Sequence, residues 1–237
     1  MEDTKPQCLG FIMDGSRRWA TDQGLASFAG HKQGGEVLQD CITWLRDEQI
    51  PHAVFYAFST ENWNRSEQEV AYLMDLFRDG LQKIDKRLND QNDKEVQDAE
   101  KVKVRIVGRR EDFAPDIVEQ MNALEARSQD YPDARTTIWL ALSYGGRAEI
   151  IQAVNQAITA GEPVDEATFE QLLWTADMPD PDLIVRTSGE QRLSNFMTWR
   201  SVYSELYFIS KHWPALTKDD FKDILEEYSR RNRRNGK

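Results

Sequence analysis

The sequence predicts an α/β fold: a single domain whose mainly parallel central sheet is wrapped by helices. Three observations predict it. Short apolar β-like runs alternate with helical patterns along the chain. No Pro/Gly/Ser-rich linker interrupts that alternation. The 237 residues are 40% hydrophobic, enough to bury a sizeable core, and the 30% that are charged call for a solvated exterior. Residues 1–237 therefore read as one domain.

The β-like runs fall near 8–13, 52–58, 102–107, 136–143, 183–186 and 205–209. The first, ending in LGFIM, is closed by Asp14, the second contains VFYAF, and the fourth alternates Ile138, Leu140 and Leu142. Helical patterns cover 31–49, 66–89, 115–130, 147–160, 165–175, 195–203 and 217–230. The clearest is 66–89, where Val70, Leu73, Met74, Phe77, Leu81 and Ile84 recur at helical spacing. Between Asn89 and Lys103 the segment NDQNDKEVQDAEKVK is nearly devoid of apolar residues and reads as a solvated helix extension or loop, with an interaction arm as the alternative.

A formal charge of −11 excludes broad nucleic-acid binding, which needs a basic field. Any anionic substrate must then be held by local arginines. The charge itself serves solubility, or adaptation to high salt. No apolar stretch approaches the about 20 residues of a membrane helix, and the N-terminus lacks a signal peptide's basic start and apolar centre, so the expected location is cytoplasmic. Cys8 and Cys41 lack metal-like spacing and read as reduced core residues, and His52 and His212 fit no zinc pattern.

Polar motifs follow the apolar runs, which should bring their functional groups to one edge of the sheet. In FIMDGSRRWA (11–20), Asp14, Gly15, Ser16, Arg17 and Arg18 place a carboxylate, a flexible backbone and two guanidiniums in one turn. A divalent cation with a diphosphate wants this mixture: hard oxygen for the metal, guanidinium forks for phosphate oxygens. In DLIVRTSGEQRLSNF (182–196), Arg186 and Arg192 flank Thr187, Ser188, Gly189 and Glu190, with Ser194 and Asn195 at the start of the next expected helix. Hydroxyls, backbone N–H groups and a helix N-terminus there would form an anion site; a Ser194 cap with surface salt bridges is the plainer reading. SYGGR (143–147) adds a flexible turn, Gly145-Gly146-Arg147. FYAFSTENWNRSEQEV (55–70) gathers Phe58, Ser59, Glu61, Asn62, Trp63 and Arg65, for which the plainer reading packs Trp63 under a loop and pairs Glu61 with Arg65. His31, in AGHKQGG, could donate to phosphate or simply cap its helix.

From about Leu9 to Gly236, through MDGSRRWA, GHKQG, YAFSTENWNRS, SYGGR, PDLIVRTSGEQRLSNF and SELYF, the chain resembles the cis-prenyltransferase family. Members condense isopentenyl diphosphate repeatedly with an allylic diphosphate, forming a cis double bond and releasing pyrophosphate at each step. The resemblance implies Mg²⁺ as cofactor, a homodimer, and specific roles. Asp14 would hold Mg²⁺ and the allylic diphosphate, with Gly15, Arg17, Arg18 and Trp19 lining that cradle. Arg186, Arg192 and Ser194 would clamp isopentenyl diphosphate, and Glu205 would be a second metal-site carboxylate. His31, Phe58, Trp63, Asn64 and Arg65 would shape substrate binding, and Ser16, Ser59 and Glu61 would join Asp14 in catalysis. Arg234-Asn235-Gly236 fits an Arg-x-Gly signature that reaches a neighbouring subunit's site in some branches.

The same resemblance implies a hydrophobic product tunnel, for which the apolar stripes of 66–89 and 136–143 are candidates as well as core. Three positions depart from the common pattern: Ser16 stands where Asn is common, Ser27 where many members carry Arg, and Arg17 where some have Gly. The segment from Phe77 to Gly108 is longer than in compact members, which favours a long product or marks an external insertion. Trp199, Tyr203, Tyr207 and Phe208 suit either a dimer interface or the core. The expected activity is that of a cis-polyprenyl diphosphate synthase starting from farnesyl or geranylgeranyl diphosphate and supplying a glycan-carrier lipid. The alternatives are a short-chain or irregular cis-prenyl synthase and a non-catalytic partner subunit. The basic tail RRNRRNGK is a candidate for peripheral contact with anionic lipid.

Overall fold

The computed structural model describes residues 5–89, 102–131 and 134–231. Six strands form one wholly parallel sheet: β1 (Cys8–Ile12), β2 (His52–Ser59), β3 (Val102–Val107), β4 (Thr136–Tyr144), β5 (Leu183–Arg186) and β6 (Glu205–Phe208). Their order across the sheet is β3-β4-β2-β1-β5-β6. The helices are α1 (Ser16–Asp22), α2 (Ser27–Asp47), α3 (Glu67–Asn89), α4 (Pro115–Ser128), α5 (Gly146–Ala160), α6 (Glu166–Glu170) and α7 (Lys218–Arg230).

Parallel strands covered on both faces must be apolar nearly throughout, and β1 is buried at every position. Side chains alternate between two cores. Leu9, Phe11, Phe55, Ile138, Leu140 and Leu142 face the core built with α2, α3, α4 and α7. Ile12, Val54, Trp139, Ala141 and Ile184 face a second core with Phe196 and Met197. Phe11 stacks on Phe55 at 5.1 Å between ring centres. Cys8 and Cys41 are buried and unbridged, as expected.

All six strands lie where the sequence predicts them, and most helices do. Helix α1 is unforeseen: only Ala20 of its residues is buried, so it carries no apolar stripe to read. Helix α2 begins at Ser27, four residues before the expected start, and α6 ends at Glu170 with turns following. The helix expected over 195–203 does not form. Ser194, Asn195 and Met197 adopt positive φ of 49°, 66° and 48°, which a right-handed helix cannot accommodate. The turn is held because the Asn195 carbonyl accepts from Gly146 N–H at 2.7 Å and its Oδ1 accepts from Arg147 N–H at 2.9 Å. Most of the polar stretch from Asn89 to Lys103, and the Arg234-Asn235-Gly236 signature, lie outside the described residues.

Helices α1 and α2 approach so closely that a Cβ on Gly30 would collide with the Ser16 carbonyl oxygen, whereas one on Gly35 would meet nothing within 4 Å. Gly30→Ala should therefore destabilise the protein by about 1–3 kcal/mol, and Gly35→Ala should stabilise it by about 0.5–1 kcal/mol. Urea unfolding of both variants checks the opposite signs.

Candidate active site

Strand order reverses direction at β1, which lies between β2 and β5. Ligands of open α/β sheets bind in the crevice beyond the carboxyl ends of the strands at such a point. The register pairs Ile12 with both Tyr56 and Arg186, so the segments after β1, β2 and β5 emerge together. A cleft of about 950 Å³ opens there.

One end of the cleft is charged. Asp14 Oδ2 accepts from the buried Arg186 at 2.8 Å, and its Oδ1 from Arg18 at 3.2 Å. Arg18 also reaches Glu190 at 3.2 Å, and Glu190 pairs with Arg192 at 2.5 Å. Behind the lining residues Arg65, Arg17 and His31, Glu69 lies 2.9 Å, 3.7 Å and 3.5 Å from them respectively. Gly15 has φ of +99°, and a Cβ there would lie 2.5 Å from Ser188 Oγ and from His212 Nδ1, so only glycine fits this turn. The other end is apolar: Leu73, Phe77, Leu81 and Ile84 of α3 face Leu140 and Leu142 of β4 across it.

The family model described as "Putative undecaprenyl diphosphate synthase" matches residues 12–236. The chain belongs to that family of prenyltransferases. It is 43% identical over 236 residues to "Isoprenyl transferase" of Thermotoga maritima, covering 98% of this chain and 97% of that one. It is 37% identical to the geranylgeranyl-diphosphate-specific tritrans,polycis-undecaprenyl-diphosphate synthase of Methanopyrus kandleri, covering 100% of this chain and 86% of the other. Among solved structures, lavandulyl diphosphate synthase of Lavandula x intermedia superposes with a TM-score of 0.87 at 31% identity, covering 99% of both chains.

In this prenyltransferase the cleft gathers many of the residues that the motifs single out: Asp14, Gly15, Ser16, Arg17, Arg18, His31, Phe58, Arg65 and Arg192 line it. Arg186 lies just behind, buried against Asp14, and donates to Ser194 Oγ at 2.8 Å. Of the apolar candidates, Leu73, Phe77, Leu81, Ile84, Leu140 and Leu142 line the cleft; Val70, Met74 and Ile138 do not.

Other expectations are corrected. The anion site has no helix N-terminus at Ser194 and Asn195, and its hydroxyls are engaged within the chain. Thr187 Oγ1 bonds the Asp14 backbone, and Ser188 Oγ lies 2.6 Å from His212 Nδ1. Glu205 does not join Asp14 within one chain. It starts β6 opposite Leu183, at the far end of the strand pair from Arg186, and pairs with Arg231 at 2.9 Å. Trp19, Ser59 and Asn64 lie outside the cleft lining. Glu61 turns toward the 145–147 turn, where its Oε1 accepts from Asn195 Nδ2 at 2.8 Å, so Arg65 pairs with Glu69 instead. Trp63 is a packing residue under its loop, stacked edge-on against Phe58 and Phe113 and donating to Ser143 Oγ at 2.8 Å.

Sequence reasoning passed over Glu69, which sits in the first turn of α3, four residues after Arg65, and pairs with it. It also passed over Tyr56, whose hydroxyl lies 3.2 Å from the Tyr144 carbonyl and 3.3 Å from that of Ser194. Tyr56 lines the cleft, and burial pushes its phenol well up. Burial, with Arg65 nearby, lowers the His31 pKa despite the opposing pull of Glu69.

Burial alone would raise the Asp14 carboxyl, but the hydrogen bond and charge of Arg186, with Arg18, outweigh it and hold the group below the ordinary range. A depressed folded value contributes stability that is present above the unfolded value, near pH 4, and lost as pH falls through the folded one. Asp14→Asn should therefore cost about 1–3 kcal/mol at pH 7 and distinctly less at pH 3. Urea titrations of wild type and variant at the two pH values measure the difference.

Proposed function

We propose that this prenyltransferase is a Mg²⁺-dependent cis-polyprenyl diphosphate synthase. It condenses isopentenyl diphosphate with an allylic diphosphate of the farnesyl or geranylgeranyl class and supplies a lipid carrier for glycan assembly. The observation that carries this reading is the two-ended cleft. A guanidinium-rich head continues into a trough lined by α3 and β4, the shape demanded by a substrate with a diphosphate at one end and a growing hydrocarbon at the other. Each buried CH₂ contributes up to about 0.8 kcal/mol, enough to retain the product between additions.

Mg²⁺ is ordinarily held by one or two carboxylates together with substrate phosphates. Asp14 supplies one hard-oxygen carboxylate in the cleft lining, beside arginines that can grip the same diphosphate, so the donors fit. Bound there, the ion would help neutralise the departing diphosphate. Arg17, Arg18 and Arg65 would surround the allylic diphosphate, and Arg192, with Arg186 fixed behind it against Asp14, would hold isopentenyl diphosphate. As the allylic carbon–oxygen bond breaks, that carbon becomes cationic and the double bond of isopentenyl diphosphate attacks it. Loss of one proton sets the new alkene, with the released diphosphate as acceptor. No nucleophilic Ser, Cys or Lys is needed.

A homodimer is part of the proposal. Strand β6 is an edge strand, and beside it Val202 and Tyr203 are 71% and 77% exposed. No described helix is long and apolar enough to cross a membrane. The likeness to lavandulyl diphosphate synthase favours a second reading, a short-chain or irregular coupling.

Purified protein with Mg²⁺, labelled isopentenyl diphosphate and either starter should give a ladder of products ending at a long polyprenyl diphosphate, and Asp14→Ala should abolish it. A single short product would establish the second reading, and no condensation with any starter would move the assignment to a partner subunit. Leu81→Trp, which fills the far trough, should shorten the ladder with initiation little changed, as chromatography of the extracted products would show.

A further inference from the structure

The structure assigns Thr187 as the positioning residue that aims the Asp14 carboxylate. Thr187 is 1% exposed, and its hydroxyl is turned to the backbone of Asp14, two residues beyond β1: Oγ1 accepts from Asp14 N–H at 2.9 Å and donates to the Asp14 carbonyl at 2.7 Å. One oxygen therefore satisfies both the donor and the acceptor of a single residue. Trp213 N–H adds a bond to the same carbonyl at 3.0 Å.

This clasp joins the second residue beyond β1 to the first residue beyond its neighbour β5. Ile12 pairs with Arg186, so the next residues along, on the β1 and β5 sides, leave the sheet side by side. Thr187 ties them together while Arg186, one residue earlier, holds the Asp14 side chain at 2.8 Å. Backbone and carboxylate of Asp14 are thus fixed by adjacent residues of one segment. The side chain is then aimed before any diphosphate arrives, with the buried Arg186 as its fixed guanidinium partner. The Thr187 hydroxyl spends its proton and one lone pair on the Asp14 backbone, and Thr187 is not among the residues that line the cleft, so its contribution to the reaction passes through Asp14.

The inference rests on Asp14 acting at the allylic diphosphate, and the test separates the two. Thr187→Val keeps shape and removes the hydroxyl; Thr187→Ser keeps the hydroxyl and removes the methyl. In Thr187→Val, kcat/KM for the allylic diphosphate should fall by about 10- to 100-fold and the Mg²⁺ half-saturation should rise, with KM for isopentenyl diphosphate within about twofold. Thr187→Ser should stay within about threefold of wild type. Independently of activity, hydrogen exchange in a peptide covering 12–18 should quicken in the valine variant and not in the serine variant. In an Asp14→Ala background, Thr187→Val should weaken binding of inorganic pyrophosphate no further, measured by calorimetry.

Equal losses in the valine and serine variants, a valine variant with unchanged kinetics, or an added loss in the Asp14→Ala background would each overturn the role of Thr187. Full activity in Asp14→Ala would overturn the reading of Asp14 instead. If the valine variant does not fold, Thr187→Ala, which introduces no new atom, takes its place under the same criteria.

Discussion

The parallel register of β1 between β2 and β5 is the constraint on which the site depends. Because β1 is buried at every position, its backbone groups must find partners within the protein, and its parallel pairing with β2 and β5 sets Ile12 beside Tyr56 and Arg186. A slip of one residue would turn Phe11 and Ile12 to the wrong cores. The register that satisfies packing is therefore the register that brings Asp14, Arg186 and the loop after Phe58 to one crevice. Site geometry is a by-product of core alternation, which is why a short segment such as MDGSRRWA functions only with this sheet beneath it.

Electrostatics act against the grain of the whole chain. The protein carries a formal charge of −11, yet Arg17, Arg18, Arg65, Arg186 and Arg192 converge on the cleft and outnumber Asp14, Glu69 and Glu190, the carboxylates paired with them. Those carboxylates offset mutual repulsion among the guanidiniums before a ligand binds. They also compete with it. A diphosphate carries more charge than any one of these acids and bonds through more oxygens, so it can exchange partners with Arg18, Arg65 and Arg192, which remain partly accessible. Arg186 differs: at 4% exposure it cannot leave Asp14 without stranding a buried charge, so it acts as a fixed post.

Most of this fold was legible because strand and helix signals here are strong and local. Parallel strands buried on both faces read as plain apolar runs, and α3 shows its stripe from Leu73 to Ile84. Legibility failed where a segment's shape is decided by a partner distant in sequence. Ser194 to Met197 carries no breaker that would forbid a helix, but Asn195 is claimed by Gly146, Arg147 and Glu61. Helix α1 was missed for the converse reason: it is held by α2 at Gly30 rather than by an apolar stripe of its own. Composition placed hydroxyls, arginines and carboxylates in the right loops without saying which way each faces. Thr187, Ser188 and Glu61 all turned out to bond within the chain, whereas Tyr56 turned out to line the opening and Glu69 to pair with the Arg17, Arg65 and His31 that line it.

The apolar trough raises the last physical question, since residues that line a cleft are lost to close packing. Leu73, Leu81 and Ile84 are 5%, 4% and 8% exposed, yet they also border the cleft, so they serve core and trough at once. Side chains lining a gap forgo dispersion contacts on one side, and the domain carries that cost as long as the gap is not filled. A hydrocarbon chain entering the trough restores those contacts and removes apolar surface from water. On the proposed reading, binding free energy from a growing tail would thus be drawn from packing that the folded protein leaves incomplete, and would increase with each unit added until the trough is full. On the proposed polyprenyl reading, a further unit beyond that length has no apolar wall to meet, so the geometry that would favour elongation would also end it.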